Sequence, residues 1–214
     1  MKVLKYLTVA FALTLGLASC NDDDGYSLDK YWLSIATVND LDGSDNSYYL
    51  TLDDGTNLHI AAPLNPYKPN TKRVFANYTI LGELEGDYQY AVRLNGIQSI
   101  LTKDVIYIDP ANEVKQDSIG FDPIKVISMK EGGGYINIKF SYNAGGVNSH
   151  MVNLVSDQED LSVGSDVVKL QFRHNQKADP EKYPTEGWVC FDLAPYKEAA
   201  TGNEITFEIS SVDF

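Results

Sequence analysis

Cysteine is scarce in this chain. Cys20 and Cys190 are the only two among 214 residues. A disulfide-stapled scaffold is therefore excluded, and the fold must rest on hydrophobic cores. Basic residues are outnumbered too: 17 Lys and Arg face 30 Asp and Glu, for a net charge of −13. Such a surface repels phosphate backbones, so nucleic acid is not an expected partner. The three histidines show no HxxxH or HxH spacing and the cysteines no CxxC, so no metal site and no cofactor are assigned. No Gly-x-Ser-x-Gly elbow is present. No apolar run approaches the roughly 20 residues that a membrane-spanning helix needs.

What is present begins with a short greasy segment. Lys2 and Lys5 precede an apolar core from Tyr6 to Leu17, and Ala18 and Ser19 follow. A basic start, a core of about a dozen residues and a small-residue exit form the layout of a secretory signal peptide over residues 1–19. Leu17-Ala18-Ser19-Cys20 resembles the bacterial lipobox. That resemblance implies a diacylglycerol on Cys20, cleavage just before it and a further acyl group, such as palmitate, on the new amino terminus. Two or three chains hold a protein firmly where one does not. Asn21-Asp22-Asp23-Asp24 resembles the acidic tract behind the lipidated cysteine of Bacteroidetes-type surface lipoproteins. Asp22, Asp23 and Asp24 are thus expected to direct export to the outer face of the outer membrane, and they suit a solvated tether as well. Loss of the leader removes two lysines and no acid, taking the net charge from −13 to −15. The membrane is then expected to be held through the lipid anchor only.

The remainder is β-patterned. Short runs such as "YWLSIATV", "SYYLTL", "KRVFANYTIL", "DYQYAVRL" and "IQSILT" precede residue 105, and "GYINIKFSY", "HMVNLV", "DVVKLQF" and "GWVCFDL" follow residue 118. Val, Ile, Tyr and Phe runs parted by Gly, Asn, Asp and Pro indicate barrels or sandwiches. Helical periodicity is confined to about one turn near 195–200. In "SYYLTLDDGTNLHIA" a three-residue loop would set Leu50 opposite Leu58 and Tyr48 opposite Ile60, one wholly apolar face, with Gly55 left-handed. Residues 109–120 are polar and aperiodic, which suits a domain boundary. "KEGGGY" (130–135) and "NAGG" (143–146) read as hairpin turns, because a phosphate loop needs a following helix and strands follow here.

"KRVFANYTIL" (72–81), "SILTKDV" (99–105) and above all "LQFRHNQKAD" (170–179) resemble the NigD-like lipoproteins. The resemblance covers nearly the whole chain after the leader. It implies an all-β protein with an OB-type barrel at 31–105 behind a lipidated acidic tether at 20–30, then a linker at 106–117 and a β-sandwich at 118–214. The family's name comes from a gene beside bacteriocin genes, so the resemblance suggests immunity and supplies no catalytic residues.

Candidate sites are few. Val168, Leu170, Phe172 and His174 fall on one strand face, with Arg173 and Asn175 pointing outward. His174 is expected to cap the core and hydrogen-bond a loop carbonyl. Cys190, in "WVCFDL", is expected to pack as a small hydrophobe. "NDLDGSDNS" at 39–47 fails the calcium-loop spacing, since counting from Asp40 puts Thr51 where glutamate is required. Asp117-Ser118-Ile119 resembles the acceptor for O-glycans on exported proteins of these bacteria, which makes Ser118 a modification candidate. Fourteen tyrosines and two tryptophans would supply a sugar-stacking surface, although strands favour tyrosine anyway. The expected function is a non-enzymatic surface lipoprotein that binds a protein or peptide such as a bacteriocin. The alternative is a carbohydrate-binding accessory lipoprotein.

Overall fold

The computed structural model describes residues 27–41, 47–158, 167–200 and 204–212. The leader, Cys20 and Asp22, Asp23 and Asp24 lie outside the described residues. Five strands make the first unit: β1 (Trp32–Asp40), β2 (Tyr48–Leu52), β3 (Asn57–Ala62), β4 (Arg73–Glu83) and β5 (Tyr90–Ser99). They close into a barrel in the order β1-β2-β3-β5-β4. Alternation selects the inner face: Ala36, Val38, Tyr48, Leu50, Leu58, Val74, Ala76, Tyr78 and Val92 form one buried cluster. Closure also removes the unpaired edges that an open sheet would expose.

The β2–β3 hairpin has the expected loop. Leu50 pairs with Leu58 across Asp53-Asp54-Gly55, and Gly55 sits at φ +88°. Both leucines are fully buried, each stabilising the barrel by about 1.5–3 kcal/mol. The pairing ends there. Tyr48 does not reach Ile60, because β3 turns away to run parallel to β5, with Ile60 beside Val92.

The second unit is a sandwich of two four-stranded sheets. Its elements are β6 (Leu101–Asp104), β7 (Ile106–Tyr107), α1 (Glu113–Ile119), β8 (Lys125–Gly132), β9 (Tyr135–Ala144), β10 (Met151–Ser156), β11 (Val167–Asn175), β12 (Tyr183–Asp192), α2 (Ala194–Ala199) and β13 (Thr206–Ser211). One sheet runs β13-β11-β10-β7 and the other β6-β12-β9-β8. Between them pack Ile136, Ile138, Phe140, Leu154, Leu170, Phe172, Val189 and Phe191. Lys103 also links the sheets: its ammonium donates to the Val152 carbonyl at 2.8 Å and to the Asn153 side chain.

Two stretches belong elsewhere than expected. Residues 101–107, assigned to the barrel end and the linker start, are sandwich strands, with β6 parallel to β12 and β7 parallel to β10. The chain changes sheet at buried Ile100, whose N–H donates to the Arg73 carbonyl at 2.9 Å. The run "IQSILT", without a glycine or proline to punctuate it, hides that corner. The rest of the linker holds α1, capped by Asn112, whose side chain accepts from the Lys115 N–H at 3.0 Å. Seven residues are too few for a visible helical period.

Candidate functional site

The chemistry-bearing side chains gather in two places, one inside the sandwich and one where it meets the barrel. In the sandwich, β11 turns His174 inward behind Val168, Leu170 and Phe172, as alternation requires, and leaves it 2% exposed. His174 Nδ1 lies 3.0 Å from the Pro123 carbonyl and must donate to it. Its Nε2 therefore accepts, and His150 Nδ1 donates to it at 2.8 Å. On the other side, His150 Nε2 lies 3.2 Å from Asp179 Oδ2. His150 thus faces an acceptor on each side. Tyr142 packs across both imidazoles at centroid distances of 4.4 and 5.3 Å.

Asp179 anchors this chain. Its carboxylate accepts the N–H groups of Gly145, Gly146, Val147 and Asn148, the last two at 2.8 Å. "NAGG" is therefore not a hairpin turn. It links β9 of one sheet to β10 of the other, and its amides form a nest for an anion that the protein itself supplies. The Asn148 amide foremost, then those of Gly145 and Val147, hold Asp179 well below the usual carboxylate range. Burial pushes His174 down from its ordinary value. The turn presenting Asp179 carries Lys177 at φ +54° and Ala178 at φ +57°, left-handed positions that cost a non-glycine residue about 1–2 kcal/mol. Both ends of the relay are occupied, by a backbone carbonyl and by a saturated carboxylate. Its effect is to fasten the β9–β10 crossover to the turn after β11.

Arg173 is expected to point outward on its strand. It does lie on the opposite strand face from His174, but α1 covers it and leaves it 3% exposed. Its Nε donates to Gly120 O at 2.6 Å, its Nη2 to Gln116 O at 3.1 Å and its Nη1 to Gln116 Oε1 at 2.9 Å. The guanidinium also stacks 3.1 Å from the centroid of Phe121. A cation thus closes the carbonyl end of α1.

The second cluster joins barrel to sandwich. Arg73, fully buried at the start of β4, donates to Thr37 Oγ1 at 2.7 Å, to Asn137 Oδ1 at 3.0 Å and to the Asp53 carboxylate. Asn137 Nδ2 donates back to Asp53 Oδ2 at 2.8 Å. Behind them the Cys190 thiol donates to Asn137 Oδ1 at 3.0 Å. Burial pushes that thiol up, away from the thiolate that nucleophilic chemistry needs. Gly133 fits here because a Cβ would stand 2.8 Å from Arg73 Nη1, and its φ of +59° is a left-handed conformation that strains any side chain. Phe75 and Trp188 complete the junction edge to face at 5.3 Å.

Ser118 is exposed in the last turn of α1, with its hydroxyl donating to Lys115 O at 2.8 Å. On the barrel, Tyr88 meets Tyr49 edge to face and His59 at a tilt, both at 5.4 Å. Sequence reading treated the three histidines as unconnected, and no spacing announces that β10 and β11 bring His150 against His174. Arg73 and Asp179 lie in two of the family-like stretches, 72–81 and 170–179, yet the sequence attaches no role to either.

Residues 35–100 match the NigD-like N-terminal OB domain, and residues 107–213 match the NigD-like C-terminal beta sandwich domain. Among solved structures, a Parabacteroides distasonis protein provisionally described as toxin related is 32% identical, with a TM-score of 0.63 over 77% of this chain and 79% of its own. A NigD-like immunity protein from Bacteroides caccae is 23% identical, with a TM-score of 0.63 over 86% and 87%. A Bacteroides fragilis protein provisionally described as a lipoprotein is 17% identical, with a TM-score of 0.62 over 84% and 87%. No match is found among curated proteins. Two family domains in the right order, covering the closed barrel and most of the sandwich, make this chain a member of the NigD-like family.

Proposed function

We propose that this protein is a non-catalytic surface lipoprotein that binds a protein or peptide, with bacteriocin immunity as its role. The observation that carries the reading is family membership together with the names of its relatives, one called an immunity protein and another toxin related. The relative described as a lipoprotein supports the anchor at Cys20. The buried groups fit the same reading, since His150, His174, Asp179, Arg73 and Cys190 are all engaged with internal partners. Deleting the gene and challenging the cells with bacteriocin-containing supernatants of related strains tests it. Sensitisation to one toxin, reversed by the gene in trans, is expected. Unchanged sensitivity across the panel would overturn immunity.

A second reading has one observation behind it. Tyr49, Tyr88 and His59 form a half-buried aromatic cluster on the barrel, the kind of surface on which a sugar ring stacks. Glycan-array binding that disappears in Tyr88→Ala would establish a carbohydrate partner. An array without a binder would remove it.

Ser118 is proposed as an O-glycan acceptor, since its helix turn is exposed. Intact mass of protein from native cells should exceed the lipidated polypeptide by a glycan, and Ser118→Ala should abolish the excess.

A further inference from the structure

The first described residues carry an apolar group that nothing else among the described residues covers. Leu28, Tyr31, Trp32 and Leu33 are 59, 70, 52 and 68% exposed. They are held in place. Lys30 N–H donates to Ser27 O at 3.1 Å, and Arg93 donates to Leu28 O at 3.2 Å, which ties the turn to β5. Trp32 and Leu33 then enter the barrel sheet opposite Tyr78 and Asn77 of β4. Toward the same end of the barrel, Leu81 of β4 and Leu84 just past the strand are 38 and 40% exposed. Six large apolar side chains therefore mark one barrel end in a strongly acidic protein.

We infer that this end of the barrel docks on the lipid bilayer, with Trp32, Leu33 and Leu28 entering the headgroup–acyl boundary. The inference rests on the acyl anchor proposed at Cys20. Leu28 follows Cys20 by eight residues, and a fully extended chain reaches about 3.3–3.6 Å per residue. The patch therefore stays within roughly 30 Å of the anchored sulfur, less than the full thickness of a bilayer with its headgroups. The residue types suit that position: Trp and Tyr place an apolar ring in the interface with a polar edge in water, and leucine supplies depth. Lys30 and Arg93 stand beside the patch where lipid phosphates would lie. Glu83 ends β4, and Glu85 and Asp87 occupy the turn after it, so a zwitterionic surface is preferred over an anionic one.

Trp32 is its own reporter, because the only other tryptophan, Trp188, packs against Phe75 at the junction. The mature chain is coupled through Cys20 to a maleimide lipid in phosphatidylcholine vesicles, which the buried Cys190 does not disturb. Docking shifts Trp32 emission to the blue, and lipids brominated near the top of the acyl chain quench it. The same protein on vesicles rich in phosphatidylglycerol shows weaker quenching. In Trp32→Phe the remaining Trp188 emission is unaffected by bromine, and Leu33→Ser weakens quenching while Trp32 stays in place. Trp32 emission indifferent to bromine overturns docking and leaves the anchor intact; a blue shift without quenching does the same, with the patch covered by the tether or a second copy. Intact mass of native protein without acyl chains overturns anchor and docking together.

Discussion

Arg73 of the barrel and Asn137 of the sandwich are joined at 3.0 Å, Nη2 to Oδ1, with the Asp53 carboxylate binding both. Arg73 is fully buried, while Asp53 keeps a fifth of its side chain in contact with water. Removing the anion alone strands a buried cation. Asp53→Ala is expected to destabilise the protein by about 3–5 kcal/mol, and Arg73→Met combined with Asp53→Ala by less than that. Urea unfolding of the three proteins checks the order. A double variant weaker than Asp53→Ala would show that Arg73 contributes chiefly by packing.

Asp179 and His174 are both displaced downward, so both make the fold sensitive to acid. A group whose pKa is lower in the folded chain contributes stability above its unfolded value, lost as pH falls through the folded one. For His174 the loss begins below the ordinary value of 6.5, and for Asp179 below 3.8. The groups facing them are His150, Tyr142 and Asp122. Unfolding midpoints measured from about pH 8 to about pH 3, the span of ordinary His and Asp titration, should decline in two stages. His174→Gln should flatten the first stage and Asp179→Asn the second. Should Asp179→Asn keep the full acid limb, other carboxylates set it.

Ala178 holds a left-handed conformation at φ +57° on an exposed turn. Glycine relieves about 1–2 kcal/mol of that strain and returns about 0.4–1 kcal/mol through the freer unfolded chain. Ala178→Gly should therefore raise stability by a few tenths to about 1.5 kcal/mol. Thermal unfolding decides the sign, and a lower midpoint would mean that the turn carries no strain.

Alternation made much of this fold legible before any coordinates. It placed Leu50 opposite Leu58 and turned His174 inward onto a carbonyl, because side chains on a strand alternate and one face is buried. It did not show what packs against a strand's outer face or what distant loops bring together. Arg173 has the polar face that alternation assigned it, but a seven-residue helix without a readable period covers that face. Asp179 and the amides of Gly145–Asn148 meet across more than thirty residues of chain, which no local pattern encodes. The sheet change at Ile100 is hidden because no glycine or proline marks it within "IQSILT".

Cys20 and the three aspartates after it are expected to act in sequence, one by covalent chemistry and the others by charge. Cys20→Ala removes the sulfur that would carry the diacylglycerol, so the protein should leave the membrane fraction. Each buried methylene of an acyl chain contributes about 0.8 kcal/mol, and no apolar patch on the barrel replaces two or three such chains. Replacing Asp22, Asp23 and Asp24 together with Ala leaves the acylated cysteine intact. That variant should still sediment with membranes yet face the periplasm instead of the medium. Protease shaving of intact cells distinguishes the two: wild type is digested, and the triple variant is protected until the outer membrane is opened. Digestion of the triple variant from intact cells at the wild-type rate would reduce the aspartates to a solvated spacer and leave the lipid anchor standing.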